Sequence, residues 1–135
     1  MPRFFFQAYW GTQLVEYEVE NGGFNQYFFN SSGMYADAAV SGFEFFGLRK
    51  HADLMRRVVA VANSAEERAL REDARQRGSL EAFGKTYDAT RLNAFDDEFN
   101  RLPMPVAAGI AYLRTHIADV AKPNGRQCPK SGAFG

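Results

Sequence analysis

Glu20-Asn21-Gly22-Gly23-Phe24-Asn25-Gln26-Tyr27-Phe28-Phe29-Asn30-Ser31-Ser32-Gly33 sets glycines, aromatics and side-chain amides side by side, with no basic group among them. Glycine lacks a Cβ and admits a positive φ, so Gly22-Gly23 is expected to end the preceding helix and turn the chain sharply. Phe24 to Phe29 then reads as a short aromatic helix. Asn30-Ser31-Ser32-Gly33 supplies side chains that bond local backbone groups, ending that helix and capping the next. The resulting path is helix, turn, helix, turn, helix. In this reading the aromatics fill the core between two helices, and the amides and serines satisfy exposed backbone groups. The competing reading lets Asn25, Gln26 and Asn30 face a groove beside Tyr27 and hold a partner or a small ligand.

Helical spacing continues on both sides. From Gly11 onward, Leu14, Tyr17 and Trp10 share one face of a first helix, with Glu16, Glu18 and Glu20 on the others. After the motif, Ala36, Ala39, Val40, Phe43 and Gly47 form one stripe of a helix from about Tyr35 to Phe46, and Leu54, Met55, Val58, Val61 and Ala62 repeat the pattern. Ser64-Ala65-Glu66-Glu67 matches a capping box. It opens a charged helix, Glu66 to Arg77, that reads as solvated and laced by i,i+4 pairs. Leu80 to Tyr87 forms another short helix, and Leu92, Phe95, Phe99 and Leu102 mark an amphipathic one. Pro103 and Pro105 interrupt the chain before a last helix with Val106, Ile110, Leu113, Ile117 and Val120 on its expected buried stripe. The fold expected is all-α: a single compact bundle of about six to seven short helices over residues 1–121, followed by an irregular C-terminal tail over 122–135.

Composition narrows the function classes. The 135 residues fit one core, and 46% hydrophobic residues with thirteen Phe exclude an intrinsically disordered chain. Sixteen Lys plus Arg balance sixteen Asp plus Glu, so the overall basic excess of a phosphate-backbone binder is missing. Cys128 is the only cysteine, which excludes an intramolecular disulfide and a Cys-based zinc cluster and makes a cytoplasmic setting the simplest one. Gln7 interrupts the N-terminal apolar triplet too early for a signal-peptide core, so the N-terminus reads as mature protein. No apolar run approaches the ~20 residues a membrane span needs.

Candidate chemistry is sparse. His51 and His116 are the only histidines, and neither belongs to a pattern that places two ligands on one helix face; both read as ordinary surface or boundary residues. Ser31 and Ser32 do not sit in a nucleophile elbow, and Cys128 has no adjacent histidine. No catalytic residue, cofactor or metal is therefore expected. Asp96, Asp97 and Glu98 are consecutive on a helix and spread over about 200°, which suits a solvated face or a partner patch better than an ion site. Between Arg3 and Arg49 the chain has no Lys or Arg but carries Glu16, Glu18, Glu20, Asp37 and Glu44. The first helices are expected to be acidic, with Glu16, Glu20, Glu44, Asp96, Asp97 and Glu98 as a candidate partner-binding face.

The string from Glu20 to Gly33, the acidic helix before it and the Ala-rich helix ending in Phe46-Gly47 after it resemble a bacterial family of small helical domains. That family is related to the C-terminal domain of a neisserial DNA-mimic protein. Asn21, Gly22, Gly23, Phe24, Gln26, Tyr27, Phe28, Asn30, Ser31 and Gly33 carry over as signature positions, and no catalytic residue comes with them. The resemblance implies an all-α domain and, in the DNA-mimic member, a dimer whose acidic surface occupies the DNA-binding site of a transcription factor.

The functional expectation is a non-enzymatic bacterial protein-binding domain whose acidic helical face meets a protein partner, either a DNA-binding regulator or a toxin that it neutralises. The alternative is a small-ligand binder or enzyme built on the amides and aromatics of residues 21–30. A direct nucleic-acid binder using Arg49, Lys50, Arg56, Arg57 and the arginines of residues 68–77 ranks last, because carboxylates are interleaved along that helix. No membrane partner is expected. The aromatic segment Phe4 to Trp10, if exposed, makes an adhesive patch and predicts a homodimer.

Overall fold

A computed structural model describes the backbone from Pro2 to Ala121 and the side chains of residues 4–117. Among the described residues seven α-helices follow one another: α1 (Pro2–Phe29), α2 (Ala36–Phe45), α3 (Arg49–Ala62), α4 (Ala65–Arg77), α5 (Leu80–Ala89), α6 (Ala94–Arg101) and α7 (Pro105–Ala121). A 3-10 turn, Ser31–Tyr35, joins α1 to α2, and the described residues contain no strand. The architecture is all-α. The expected tail over 122–135, with Cys128, lies outside the described residues.

The first helix is longer than its spacing from Gly11 predicts, because it begins at Pro2 and takes in the aromatic segment. The glycine pair breaks its helical geometry, as its residue types predict, and divides it into two limbs. Gly22 has φ −156° and ψ 16°, and Gly23 has φ 75° and ψ −178°, a conformation essentially reserved for glycine. Helical geometry resumes at Phe24, so the motif's aromatic segment is the second limb of a bent helix. The buried stripe of the first limb is Phe5, Ala8, Thr12, Val15 and Val19. Trp10 and Tyr17, which the sequence reading grouped with Leu14, point outward.

The core gathers around α1, α2 and α3, where Phe24, Tyr27, Phe43, Leu54, Met55 and Val58 are fully enclosed. Each contributes roughly 1.5–3 kcal/mol by leaving water. Close helix approach needs small residues: a Cβ added to Gly42 of α2 would lie 2.7 Å from the carbonyl oxygen of Ala8 on α1. Leu92, in the connection between α5 and α6, and Phe99 of α6 close the core, and Phe24 meets Phe99 edge to face at 5.7 Å.

α7 lies antiparallel along the first limb of α1, with Tyr112 stacked on Phe5 at 5.2 Å, Gly109 against the Tyr9 ring, and the backbone N–H of Val106 bonded to Glu16 at 3.1 Å. Its buried side is therefore Pro105, Gly109 and Tyr112. The stripe predicted to be buried is turned toward solvent: Ile110 is 44% and Ile117 60% exposed, while Val106 and Leu113 are half-buried and Val120 falls outside the described side chains. A helix at the edge of the bundle offers a choice of faces, and the small Gly109 under Tyr9 decided it.

Two other expectations change. His51 is buried, its ring 5.3 Å from that of Phe43 and 5.9 Å from that of Phe99, with Nε2 2.8 Å from the Pro103 carbonyl oxygen. α4 is not wholly solvated either, since Glu67, Arg71 and Ala74 turn inward. Ser64 caps α4 by accepting from the Glu67 backbone N–H. The Glu67 carboxylate leaves the capping box to take Thr90 Oγ1 at 2.6 Å and the Arg91 backbone N–H at 2.9 Å.

Candidate functional site

The signature motif converges on a residue that lies just before it. Glu18 is 6% exposed on the first limb of α1, and its carboxylate receives Gln26 Nε2 at 2.7 Å, Ser32 Oγ at 2.7 Å and Asn30 Nδ2 at 3.2 Å from each oxygen. Burial pushes this carboxyl up, and the donors Gln26, Ser32 and Asn30 together pull it further down, so it titrates below the ordinary glutamate value. Gln26, Asn30 and Ser32 therefore do not serve the local backbone, as their turn chemistry suggested. They tie both limbs of α1 and the 3-10 turn to one negative charge. Beside them the Tyr27 phenol is enclosed without a hydrogen-bond partner among the described residues, and burial and then the Glu18 charge hold its pKa high.

The kink is clamped from the other half of the chain. Tyr87 Oη on α5 donates to the Gly22 carbonyl at 2.7 Å, and the Phe24 backbone N–H donates to Asp96 Oδ1 on α6 at 2.9 Å. Asn25 Nδ2 donates to Thr86 Oγ1 at 2.8 Å in a buried pair. At the far end of α1, Arg75 Nη2 donates to the carbonyl oxygens of Phe29 at 2.6 Å and Phe28 at 3.3 Å, satisfying acceptors that a helix C-terminus leaves open. Of the remaining signature positions, Asn21 and Ser31 are exposed, Gly33 packs 3.0 Å from the Phe28 Cα when a Cβ is built on it, and Phe24, Tyr27 and Phe28 are core.

The six carboxylates expected to form an acidic face do not form a single free one. Glu16 is buried and accepts from Val106 and from Gln13 Nε2, so it caps α7 and is no surface charge; burial holds its pKa up. Asp96 is half-buried under the kink, and desolvation raises its pKa against the pull of the Phe24 N–H. Glu44 pairs with Arg56 and Glu98 with Arg57. Glu20 and Asp97 are exposed and have no ion pair among the described residues, and Asp37 on α2 shares that state.

A cleft of about 480 Å³ opens where the end of α1 meets α4 and α5, lined among others by Gln26, Phe29, Asn30, Arg75, Leu80 and Phe83. Two amides of the motif thus reach a concavity. Their nitrogens are committed to Glu18, and Phe29 and Phe83 rings 4.5 Å apart supply an apolar floor. No group of three His, Cys, Asp or Glu side chains among the described residues is placed to hold a metal ion, and no described helix is long and apolar enough to cross a membrane.

Sequence reading missed Glu18, Thr86, Tyr87 and Arg75. Glu18 carried one available signal: it stands on an otherwise apolar side of α1, between Val15 and Val19, where an acid is expensive unless several donors meet it.

No curated protein and no solved structure matches the chain. A protein-family model described as DMP19-like protein matches residues 3–116, which takes in nearly all of α1 and reaches into α7. On that match, which spans well over half of the chain, this protein belongs to the DMP19-like protein family.

Proposed function

We propose that this DMP19-like domain is a non-enzymatic protein-binding module whose partner is basic, of the kind a DNA-binding regulator or a toxin would be. The observation that carries the reading is a long stretch of chain without a cation. From residue 4 to residue 48 there is no Lys or Arg, and the outer side of the 3-10 turn and the start of α2 expose Asp37 with Met34 and Tyr35, Met34 being 74% accessible, while Glu44 further along α2 is paired with Arg56. Methionine and aromatics bordered by carboxylates make a docking surface for an apolar anchor framed by lysines or arginines.

Several of the arginines that a phosphodiester partner would need are already engaged, although Arg49, Lys50 and Arg68 are exposed. Arg56, Arg57 and Arg77 are ion-paired, Arg71 is buried, and Arg75 is turned onto the end of α1. The cleft beside Gln26 and Asn30 favours a second reading, a small ligand with an apolar body seated on Phe29 and Phe83.

Affinity capture from the native host with mass spectrometry, run in parallel with the D37K/M34S variant, tests the first reading. A basic protein held by the wild type and lost by the variant and at high salt is expected. Equal capture by both chains would sink the assignment of this face, and an L80D/F83S variant that alone abolishes binding would transfer the function to the cleft.

A further inference from the structure

A buried cation without a counter-ion lies behind the 3-10 turn. Arg71, on the inward side of α4, is 8% exposed and forms no ion pair among the described residues. Its Nη2 donates to the carbonyl oxygen of Ala62, the last residue of α3, at 2.7 Å, and its guanidinium lies over the Phe28 ring at 5.8 Å. Its Nη1 has no hydrogen-bond partner among the described residues. Taking an arginine out of water is costly unless an opposite charge meets it, and a guanidinium does not escape by giving up its proton. The surrounding charges do not relieve it: burial, and then the Arg75 charge, push its pKa down against an opposing pull from Glu67. That carboxylate is itself held by Thr90 and the Arg91 backbone N–H.

Arg71 also lines a cavity of about 250 Å³, together with Phe28, Met34, Asp37, Asn63 and Arg75. Arg75, one turn further along α4, gives Nη2 to the end of α1 and forms no ion pair among the described residues. Asn63, just past α3, is exposed, and its side-chain amide makes no hydrogen bond among the described residues. Asp37 is an exposed carboxylate, also without an ion pair there. Two cations and one anion leave a single net positive charge around the cavity. A doubly charged phosphate would meet Asp37 as a like charge, whereas one carboxylate balances the sum. We propose that this cavity binds a small organic acid, whose carboxylate accepts from Arg71 Nη1 beside the Arg75 charge and the Asn63 amide. Val59 and Met34, which also line the cavity, suit a short apolar body on that acid. The site shares Met34 and Asp37 with the partner face proposed above but does not depend on it, because the purified chain and a pure acid suffice to test it.

Titration of the isotopically labelled whole chain with sodium propionate, at an ionic strength held constant with sodium chloride, follows the backbone amide resonances of Gly33, Asn63 and Arg71. Saturable shifts with millimolar or tighter affinity are expected, and propionamide, the neutral isostere, is expected to leave the resonances unmoved. N63D, which sets a second carboxylate at the cavity, is expected to raise the dissociation constant about fivefold, and D37N to lower it about threefold. Both positions are exposed, so neither change threatens the fold. R71Q is expected to abolish the shifts, with circular dichroism confirming its helicity; should it unfold, N63D and D37N decide. A wild type without saturation would overturn the proposal, as would an equal response to propionamide or N63D and D37N chains that bind as the wild type does.

Discussion

Replacing Glu18 by alanine removes one acceptor from three donors at once. Gln26 Nε2 and Ser32 Oγ each lie 2.7 Å from the carboxylate, and Asn30 Nδ2 spans both oxygens. A hydrogen bond to a charged group contributes about 1.5–3 kcal/mol, and a buried donor left without a partner costs about 1–3 kcal/mol. Asn30 is exposed and water can serve it, so the main losses fall on buried Ser32 and half-buried Gln26. The expected total is about 3–5 kcal/mol, a large part of the roughly 5–15 kcal/mol that holds a domain folded. In a thermal melt that corresponds to a drop of roughly 10–20 °C. E18Q separates charge from volume, because its amide turns a donor toward donors, and it is expected to melt near E18A. Because the Glu18 carboxyl titrates below its ordinary value of 4.5, its contribution is complete above that value and is lost as pH falls through the lower folded one. An E18Q melt within about 3 °C of wild type would refute the reasoning, since the motif's amides would then be serving water.

Other outcomes follow from single contacts. G23A sets an L residue at φ 75° with its Cβ driven into the Asp96 carboxylate, and should cost about 2–4 kcal/mol in urea unfolding; a loss below about 1 kcal/mol would mean the kink relaxes freely. Burial holds the His51 ring below its ordinary 6.5, with the Pro103 carbonyl acting the other way. The unfolded chain therefore takes up a proton first as pH drops below 6.5, and stability should fall by up to ~1.4 kcal/mol per pH unit there. In H51F that slope should flatten; identical slopes in both proteins would remove His51 from the account. G109V should loosen α7 from Tyr9, visible as faster amide exchange in α7 with little change in α3.

The interior helices were legible because their spacing is unambiguous. Leu54, Met55, Val58 and Ala62 admit only one buried side, and they are buried. The outer helices were harder, because Ile110 and Ile117 are as apolar as any core residue and only the contact of Gly109 with Tyr9 tells which side packs. In the motif, the core aromatics and the turn at Gly22-Gly23 were readable from residue type alone. The destinations of its amides were not. Turn propensity describes bonds to nearby backbone, whereas Gln26, Asn30 and Ser32 found a carboxylate eight, twelve and fourteen residues back, and nothing local encodes such a meeting. The engagement of two residues of the expected acidic face was hidden for a related reason: a count of charges along the chain cannot show that Glu16 caps α7 or that Asp96 holds the Phe24 N–H.

The clamp on the α1 kink also bears on how the chain reaches its fold. Tyr87, Thr86 and Asp96 complete the bend from positions 65, 61 and 72 residues further along, and Arg75 closes the end of α1 from 46 residues away. Contacts of that range form late, after the entropy of closing long loops has been met. A nascent chain that has emerged only as far as Ala62 holds the entire motif, most core aromatics and the Glu18 network, yet lacks Tyr87, Thr86, Asp96 and Arg75. In that fragment the glycines and the Glu18 network favour the bend, and its clamp is completed only when α5 and α6 have been made and docked.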